Sequence, residues 1–310
     1  FRLSGFKQRG TVAAVFRCIP HQIPSLESLS MPAIISTLAT AKRGLVLVVG
    51  ATSSGKSTTI ASMLDHRNTH RSGHILTVED PIEFLFKHKK SIVNQREVGL
   101  DTHSWHDALK NAMRQAPDCI LIGEIRDKET MSAAIAYAQT GHLCVATLHA
   151  NNAYHALNRI INFFPLENRT ALYLDLSSTL KTIISQRLVR KPDGHRIPSV
   201  EILLNTRHIS ELIEKGEING IKEAMEQSLA PGSQTFEQDL FRLYKENTIT
   251  LDEALANADS PTNLSWLINN AQLQAPAPKT LAPLTVAPAD QAEPTPGGAS
   301  FAEFTLKLDD

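Results

Sequence analysis

Cysteine is scarce in this chain, with three residues among 310. Cys18, Cys119 and Cys144 lie far apart and form no pair at zinc-ligand spacing, so the sequence predicts neither a disulfide framework nor a zinc site. Two of the three stand in apolar runs, where cysteine acts as a small hydrophobic residue. We therefore expect all three to stay reduced and inert.

An excess of charge of either sign is also missing, since 31 basic and 32 acidic residues give a formal net charge of −1. A nucleic-acid partner is therefore not expected, because the phosphate backbone is bound mainly by basic surfaces. Apolar runs of about 18 residues are missing as well, which predicts no transmembrane segment. No basic and apolar leader opens the sequence, so we expect a cytoplasmic protein without a secretory signal.

The strongest motif follows an uninterrupted apolar run at residues 45–49 and has the spacing G-x-x-x-x-G-K-S. The run predicts a strand buried on both faces of a parallel sheet, and residues 58–64 predict a helix. The helix N-terminus attracts phosphate, Lys56 adds a positive charge, and Ser57 offers a hydroxyl to Mg²⁺. The weaker alternative is a serine-rich turn without a ligand. The predicted nucleotide-binding residues are Gly50, Thr52, Ser53, Ser54, Gly55, Lys56, Ser57 and Thr58.

Acidic residues follow two further apolar runs. Glu124 comes after the run 119–122, as a Walker B acid near Mg²⁺ does, and Glu79 and Glu83 follow the run 75–78. In a parallel sheet these runs would end at the edge where doubly wound folds bind ligands. We therefore predict that the three carboxylates serve the metal and the attacking water. For Glu79, a solvated charged loop is the alternative.

Two histidines flank the apolar run 143–148. His149 follows the run and is predicted at the ligand edge, where it can form a hydrogen bond to the γ-phosphate. His142 precedes the run, so topology alone favours its participation less. A purely structural histidine is the alternative for both.

Strand and helix patterns alternate between residues 45 and 148, which predicts an α/β fold with a largely parallel sheet covered by helices. Residues 151–185 are predicted to be mostly helical, with one further strand at 200–204 and helices after it. Residues 1–6 and 11–19 predict two strands whose partners lie upstream.

The composition changes near Gln274. Residues 275–298 consist mainly of Ala, Pro and small polar residues, which bury too little apolar surface to fold, so this segment is predicted to be disordered. Phe301, Phe304 and Leu306 lie beside acidic residues further on, as in a short docking segment. A frayed tail is the equal alternative.

A series of motifs resembles the type II/type IV secretion ATPase superfamily, and within it the PilT/PilU-type pilus-retraction branch, PilU-like members above all. The motifs are GATSSGKST, LTVEDPIEF, NQREVG, CILIGEIRD and TGHLCVATLHANNA, followed by QRLVR and PSVEILLN. The resemblance implies a RecA-like P-loop ATPase core with C-terminal helices over residues 25–274. It also implies that residues 1–24 are the remnant of an N-terminal PAS-like α+β domain and that 275–310 form a tail.

The resemblance also implies roles for individual residues. Glu124 matches the Walker B acid, and Glu79 and Glu83 lie in the aspartate box, where Glu83 matches the proposed catalytic glutamate. His142 and His149 belong to the histidine box. The implied cofactors are ATP and Mg²⁺, with Mg²⁺ held by Ser57 and Glu124 partly through water.

The function implied is that of a homo-hexameric motor whose ATP hydrolysis drives or assists type IV pilus retraction and twitching motility. The implied partners are a sister retraction ATPase and a pilus platform protein of the inner membrane. The protein would then lie at the cytoplasmic face of that membrane. Arginines of a neighbouring subunit commonly complete such sites. The candidates are Arg2, Arg17, Arg96, Arg114 and Arg126, and for each of them a structural ion pair is an equal alternative.

Two departures from the family pattern are visible. Ala51 and Ser53 stand where PilT-like members usually carry Pro and Gly. The four-cysteine zinc element that assembly ATPases carry after QRLVR is absent, which favours retraction over assembly. Two rival functions stay open: an accessory nucleotide-binding ring that supports a sister ATPase with little turnover of its own, and a nucleic-acid translocase, which the near-neutral charge disfavours.

Overall fold

The computed structural model describes residues 2–19 and 22–274, and describes Arg2, Arg17 and residues 272–274 by their backbone alone. The tail predicted at 275–310, with its proposed docking residues, lies outside the described residues.

Two strands, β1 (Arg2–Gln8) and β2 (Thr11–Arg17), pair antiparallel as a sheet of their own. These are the two strands predicted at the start of the chain. Leu3 on β1 is 60% exposed and Val12 on β2 is 78% exposed. Within the described residues, these apolar side chains are therefore not covered by a further element. The assignment of these strands to a PAS-like domain stays a prediction.

Seven strands form the central sheet. They are β3 (Gly44–Val49), β4 (Gly73–Glu79), β5 (Ser91–Glu97), β6 (Cys119–Ile122), β7 (Leu143–Leu148), β8 (Leu180–Arg190) and β9 (Arg196–Leu204). Their order across the sheet is β5-β4-β6-β7-β3-β8-β9. All neighbours run parallel except β9, which pairs antiparallel with β8 at one edge. The predicted α/β fold with a largely parallel sheet is confirmed.

Helices pack on both faces of this sheet and on one another. They are α1 (Ile34–Ala39), α2 (Lys56–His70), α3 (Trp105–Ala112), α4 (Lys128–Gln139), α5 (Ala153–Asn162), α6 (Arg169–Thr179), α7 (Arg207–Lys215), α8 (Ile221–Glu226), α9 (Phe236–Lys245), α10 (Leu251–Asn257) and α11 (Pro261–Gln274). In β3, Leu47 packs in the core on one face and Val46 and Val48 in the core on the other. The apolar run before the motif is therefore continuous because both faces of this strand are buried.

Three elements differ from the predictions. Residues 180–185, predicted as helix, open strand β8, since α6 ends at Thr179 and Leu180 already has an extended ψ of 131°. Strand β5 was not predicted, and it is polar because it forms the edge of the sheet. Helix α11 was not predicted, yet its Leu264 and Ile268 are buried against α9 and α10.

Candidate nucleotide-binding site

The carboxyl ends of β3, β4, β6 and β7 meet at one edge of the sheet, beside a pocket of about 590 Å³. Most of the residues predicted to bind nucleotide line it, namely Thr52, Ser53, Gly55, Lys56, Ser57 and Thr58. The predicted catalytic residues Glu79, Glu83, Glu124 and His149 line the same pocket. The structure therefore brings together groups that lie up to about 100 residues apart in the chain, as the parallel-sheet rule requires.

The P-loop turns tightly between β3 and α2. Gly50 has a φ of +155°, and a Cβ atom there would stand 2.4 Å from Ser54 Oγ. Gly55 has a φ of +90° at the N-terminus of α2, in the left-handed region that favours glycine. Both motif glycines are thus required by the backbone, and Lys56, Ser57 and Thr58 at the start of α2 line the pocket, where free N–H groups of a helix N-terminus favour an anion.

Lys56 is buried, and its Nζ donates to the carbonyl oxygens of Gly50 and Ala51, each at 2.8 Å. Burial lowers the pKa of this lysine, and the negative charge of Glu124 acts in the opposite direction. The ammonium group therefore sits on the loop's own carbonyl groups. Phosphate oxygens can replace these acceptors when a nucleotide binds.

Glu124 lies between two cationic or polar partners. Its Oε2 accepts a hydrogen bond from Arg126 Nε at 2.7 Å, and its Oε1 is 3.4 Å from His149 Nε2. Arg126 also lies 3.5 Å from Asp80. Burial, and next to it the charge of Lys56, lowers the pKa of His149. His149 is therefore mainly neutral at pH 7, so one of its ring nitrogens can donate a hydrogen bond and the other can accept one.

Glu79 ends β4 and is only 8% exposed. Its carboxylate accepts hydrogen bonds from Thr77 Oγ1 at 2.7 Å, from Gln95 Nε2 at 3.1 Å and from the backbone N–H of Glu83. Burial raises the pKa of Glu79. The carboxylate oxygen atoms of Glu79 therefore accept hydrogen bonds that stabilise the turn carrying Glu83.

The loop after β4 is held by the edge strand β5. Gln95 Nε2 donates to the carbonyl of Phe84 at 2.8 Å and its Oε1 accepts from the N–H of Phe86 at 2.9 Å. Glu97 accepts from the N–H of Ile82 at 3.0 Å. These contacts fix the backbone on both sides of Glu83.

His142 lies at the opposite end of β7 from His149. Its Nδ1 is 2.9 Å from Thr140 Oγ1 and 3.2 Å from the carbonyl of Tyr137. The six residues of β7 lie between the two histidines, and a strand of this length places them about 20 Å apart. Within one subunit, His142 is therefore not brought to the pocket.

Two functional contacts were missed from the sequence. Arg126, proposed to act on a neighbouring subunit, pairs with Glu124 of its own chain. Gln186 contacts the P-loop through Ser54 O and Thr59 Oγ1. For Gln186 the available signal was the β-branched run 182–184 just before it, but residues 151–185 were predicted to be mostly helical.

The residues at the pocket fit Mg²⁺. Ser57 offers an exposed hydroxyl and Glu124 a carboxylate, both oxygen ligands that Mg²⁺ prefers. Within residues 2–19 and 22–274 no three His, Cys, Asp or Glu residues are placed to hold a metal by themselves. The prediction that the protein binds no zinc remains a prediction.

A P-loop that opens a helix at the carboxyl edge of a parallel sheet, with an acid after a neighbouring strand, defines a P-loop nucleotide-binding protein. The chain belongs to the type II/IV secretion system protein family, whose model matches residues 17–236. Across the described part of the chain, no helix has the length and apolar character needed to cross a membrane.

Three comparisons place the chain within this family. It is 52% identical over 269 residues to the type IV pilus ATPase PilU of Pseudomonas aeruginosa. The matched region covers 86% of this chain and 70% of that protein. It is 41% identical over 263 residues to the type IV pilus retraction ATPase PilT of the same organism, covering 85% and 76%. A crystal structure of the pilus retraction motor PilT with bound ADP matches with a TM-score of 0.81 at 46% identity, covering 86% of this chain and 76% of that one. The predicted family and its pilus-retraction branch are confirmed.

Proposed function

We propose that this chain is an ATP-hydrolysing motor of type IV pilus retraction. The observation that carries the proposal is that Lys56 of the P-loop and the carboxylate of Glu124 line the same pocket. The relatives named as pilus ATPases, and the PilT structure with bound ADP, support the same activity.

The P-loop residues bind the phosphates of ATP through backbone N–H groups and through Lys56. Mg²⁺ would be held by Ser57 and, partly through water, by Glu124, and it supplies charge neutralisation for the transferred phosphoryl group. Arg126 Nε donates to Oε2 of Glu124, so Arg126 would orient this carboxylate beside the metal.

Glu83 is proposed as the group that positions or deprotonates the attacking water. The support for this role is that Glu83 lines the pocket on a loop whose backbone is held by hydrogen bonds from Gln95 and Glu97 of β5. His149 is proposed to contact the γ-phosphate, since neutral imidazole donates without repelling Mg²⁺. For His142, a role in the reaction would need a contact beyond its own subunit.

The assembly proposed is a homo-hexamer at the cytoplasmic face of the inner membrane. A sister retraction ATPase and an inner-membrane platform protein are its proposed partners. The presence of both PilU and PilT in one organism supports the proposal that a sister ATPase is a partner. No nucleic-acid partner is proposed, given the net charge of −1.

Phosphate release from MgATP by the purified full chain tests the activity. Lys56→Ala should nearly abolish turnover, because the ammonium group binds the phosphates. The far-ultraviolet circular dichroism should stay that of the wild type, because Lys56 is not part of the hydrophobic core. Lys215→Ala, an exposed lysine on α7 remote from the pocket, is the matched control and should turn over normally. Unchanged turnover in the Lys56 variant would remove the P-loop from the mechanism. Tight nucleotide binding without turnover in the wild type would support the accessory ring instead.

A further inference from the structure

Gln186 lies on β8 directly beside the P-loop strand. Ser185 pairs with Val49, the last residue of β3, which brings Gln186 level with Gly50 at the start of the loop. Gln186 is only 2% exposed. A buried carboxamide is costly unless both of its ends are hydrogen-bonded, so its partners indicate why it is there.

Both ends of the Gln186 side chain bind the P-loop region. Its Nε2 donates to the carbonyl of Ser54 at 2.8 Å, and its Oε1 accepts from Thr59 Oγ1 at 2.7 Å. These partners bracket residues 55–58, which include Lys56 and Ser57. The side chain therefore spans the stretch that receives the phosphates.

The two motif glycines are packed against the same residue. A Cβ atom on Gly50 would lie 2.5 Å from the carbonyl oxygen of Gln186, and one on Gly55 would lie 2.7 Å from Gln186 Nε2. Such close approach leaves the loop little room to move relative to β8. The position of Gln186 and the conformation of the loop are therefore mutually fixed.

We propose that Gln186 is a positioning residue of the ATPase reaction. Its two hydrogen bonds hold the P-loop and the first turn of α2 where the loop N–H groups and Lys56 meet the phosphates. The proposal rests on the proposed nucleotide-binding function of the P-loop. A carboxamide is required because it donates at one end and accepts at the other, whereas a glutamate could not donate to Ser54 and would place a negative charge beside phosphate.

The strand that carries Gln186 is anchored at the next residue. Arg187 Nη1 donates to the carbonyl of Asn257 at 2.5 Å, and Nη2 donates to Asp259. The guanidinium also lies 3.9 Å from the centroid of the Phe236 ring. These contacts fix β8 at the point where it holds the loop, which is the support that a positioning residue needs.

The test compares Gln186→Leu and Gln186→Glu with Thr182→Val in the full chain. Thr182 lies on the same strand, is fully buried and donates to the carbonyl of Leu203 at 2.8 Å, so its variant loses a structural hydrogen bond away from the pocket. The Gln186→Leu change should weaken ADP binding and lower kcat, each about ten-fold, which is the size expected for lost buried hydrogen bonds. Gln186→Glu should lower ADP affinity and kcat by a larger factor than Gln186→Leu does. Thr182→Val should keep wild-type ADP affinity and kcat even where it melts at a lower temperature.

A second variant protects the test if Gln186→Leu does not fold. Thr59→Val removes one of the two hydrogen bonds with Gln186 in place and should weaken ADP binding, and Thr59→Ser, which keeps the hydroxyl, should restore it. In the double variant of Gln186→Leu and Thr59→Val the losses should be less than additive, because the two groups share one hydrogen bond.

Wild-type ADP affinity in both Gln186→Leu and Thr59→Val would overturn the proposal, as would an equal loss in Thr182→Val. If the wild type binds ADP without hydrolysing ATP, the proposed function fails. The comparison of ADP affinities then still decides whether Gln186 positions the P-loop for nucleotide binding.

Discussion

Glu79 and Glu83 stand four residues apart, yet their carboxyl groups have different tasks in the structure. Glu79 is 8% exposed and accepts three hydrogen bonds, one of them from the backbone of Glu83. Glu83 lies beyond it on the wall of the pocket. Glu79 thus stabilises the turn, and for Glu83, on the pocket wall, we propose the role of general base.

We predict that Glu83→Gln keeps ATP affinity near the wild-type value and slows hydrolysis by about 100-fold or more, because a positioned general base is lost. Single-turnover phosphate release and binding of a fluorescent nucleotide measure the two effects separately. Glu79→Gln should slow hydrolysis less. If Glu79→Gln is the more damaging at equal nucleotide affinity, the two roles are reversed.

Glu201 is a second buried carboxyl group, 5% exposed on β9. Its Oε1 accepts from the N–H of Ala153 at the start of α5 and from Ser185 Oγ. Burial, with a smaller contribution from Asp259, raises the pKa of Glu201 to about 7. The folded state therefore holds this proton more tightly than the unfolded state does.

The free energy of unfolding should consequently fall as the pH rises from about 4.5 to about 7, through loss of the stability that protonated Glu201 contributes. The size of this contribution is on the order of 3 kcal/mol at most. Glu201→Gln keeps an oxygen acceptor for both donors and stays neutral, so it should lack this component and be more stable than the wild type at pH 8.

Urea unfolding at pH 5 and pH 8 measures this difference. Glu226→Gln, at an exposed position on α8, is the control and should follow the wild type at both pH values. An equal pH dependence in the wild type and in Glu201→Gln would contradict the assignment.

Much of the pocket was predictable at the scale of single residues. The motif spacing fixes Lys56 and Ser57, and the rule that parallel strands end at one edge places Glu124 and His149 beside them. The ion pair of Arg126 with Glu124 was not predictable, because both residues could equally face a neighbouring subunit and no local pattern decides between these partners.

At the scale of elements, β8 shows where sequence patterns fail. Helix α6 passes into β8 at Leu180 without an intervening loop, so no glycine or proline marks the boundary. The β-branched residues Thr182, Ile183 and Ile184 favour a strand, but only the pairing with β3 settles the matter. Tertiary pairing, rather than local preference, fixes this element.

Helix α11 did carry a local signal. Ser260 Oγ accepts from the N–H of Asn263, as an N-cap does, and Pro261 is the first residue of the helix. Leu264 and Ile268 follow at a spacing of one turn and are buried with Leu240. The helix is therefore an integral part of the C-terminal core.

Leu264→Ala should accordingly lower the free energy of unfolding by about 3 kcal/mol, because it leaves a cavity in that core. Trp266, on the same helix, is 65% exposed. Trp266→Ala is the matched control, with an expected loss below about 1 kcal/mol. Denaturant unfolding compares the two, and equal losses would mean that α11 does not pack as described.

At the scale of the whole molecule, the proposed core ends with α11. We predict that a chain cut after Gln274 folds and hydrolyses ATP like the full chain, because the composition of residues 275–298 predicts a disordered segment. Thermal melting and phosphate release measure both properties. A large drop in melting temperature would show that the removed segment packs on the core.

The same cut addresses the docking segment predicted around Phe301, Phe304 and Leu306. These residues lie outside the described part of the chain, so their role stays a prediction. Loss of binding to the platform protein or the sister ATPase in the cut chain, with ATPase activity retained, is the expected result.

The contacts of β8 also have a mechanical consequence, because a motor that pulls a filament must carry load from its nucleotide to its outer helices. From Ser54 the path crosses one 2.8 Å hydrogen bond to Gln186, follows one peptide bond to Arg187, and crosses a 2.5 Å hydrogen bond to Asn257. Beyond the P-loop, each step is strand backbone, an anchored side chain or a direct hydrogen bond. The P-loop and the last residue of α10 are therefore joined through a single residue pair of β8, so a change in the position of the loop would bear on that end of the helix first.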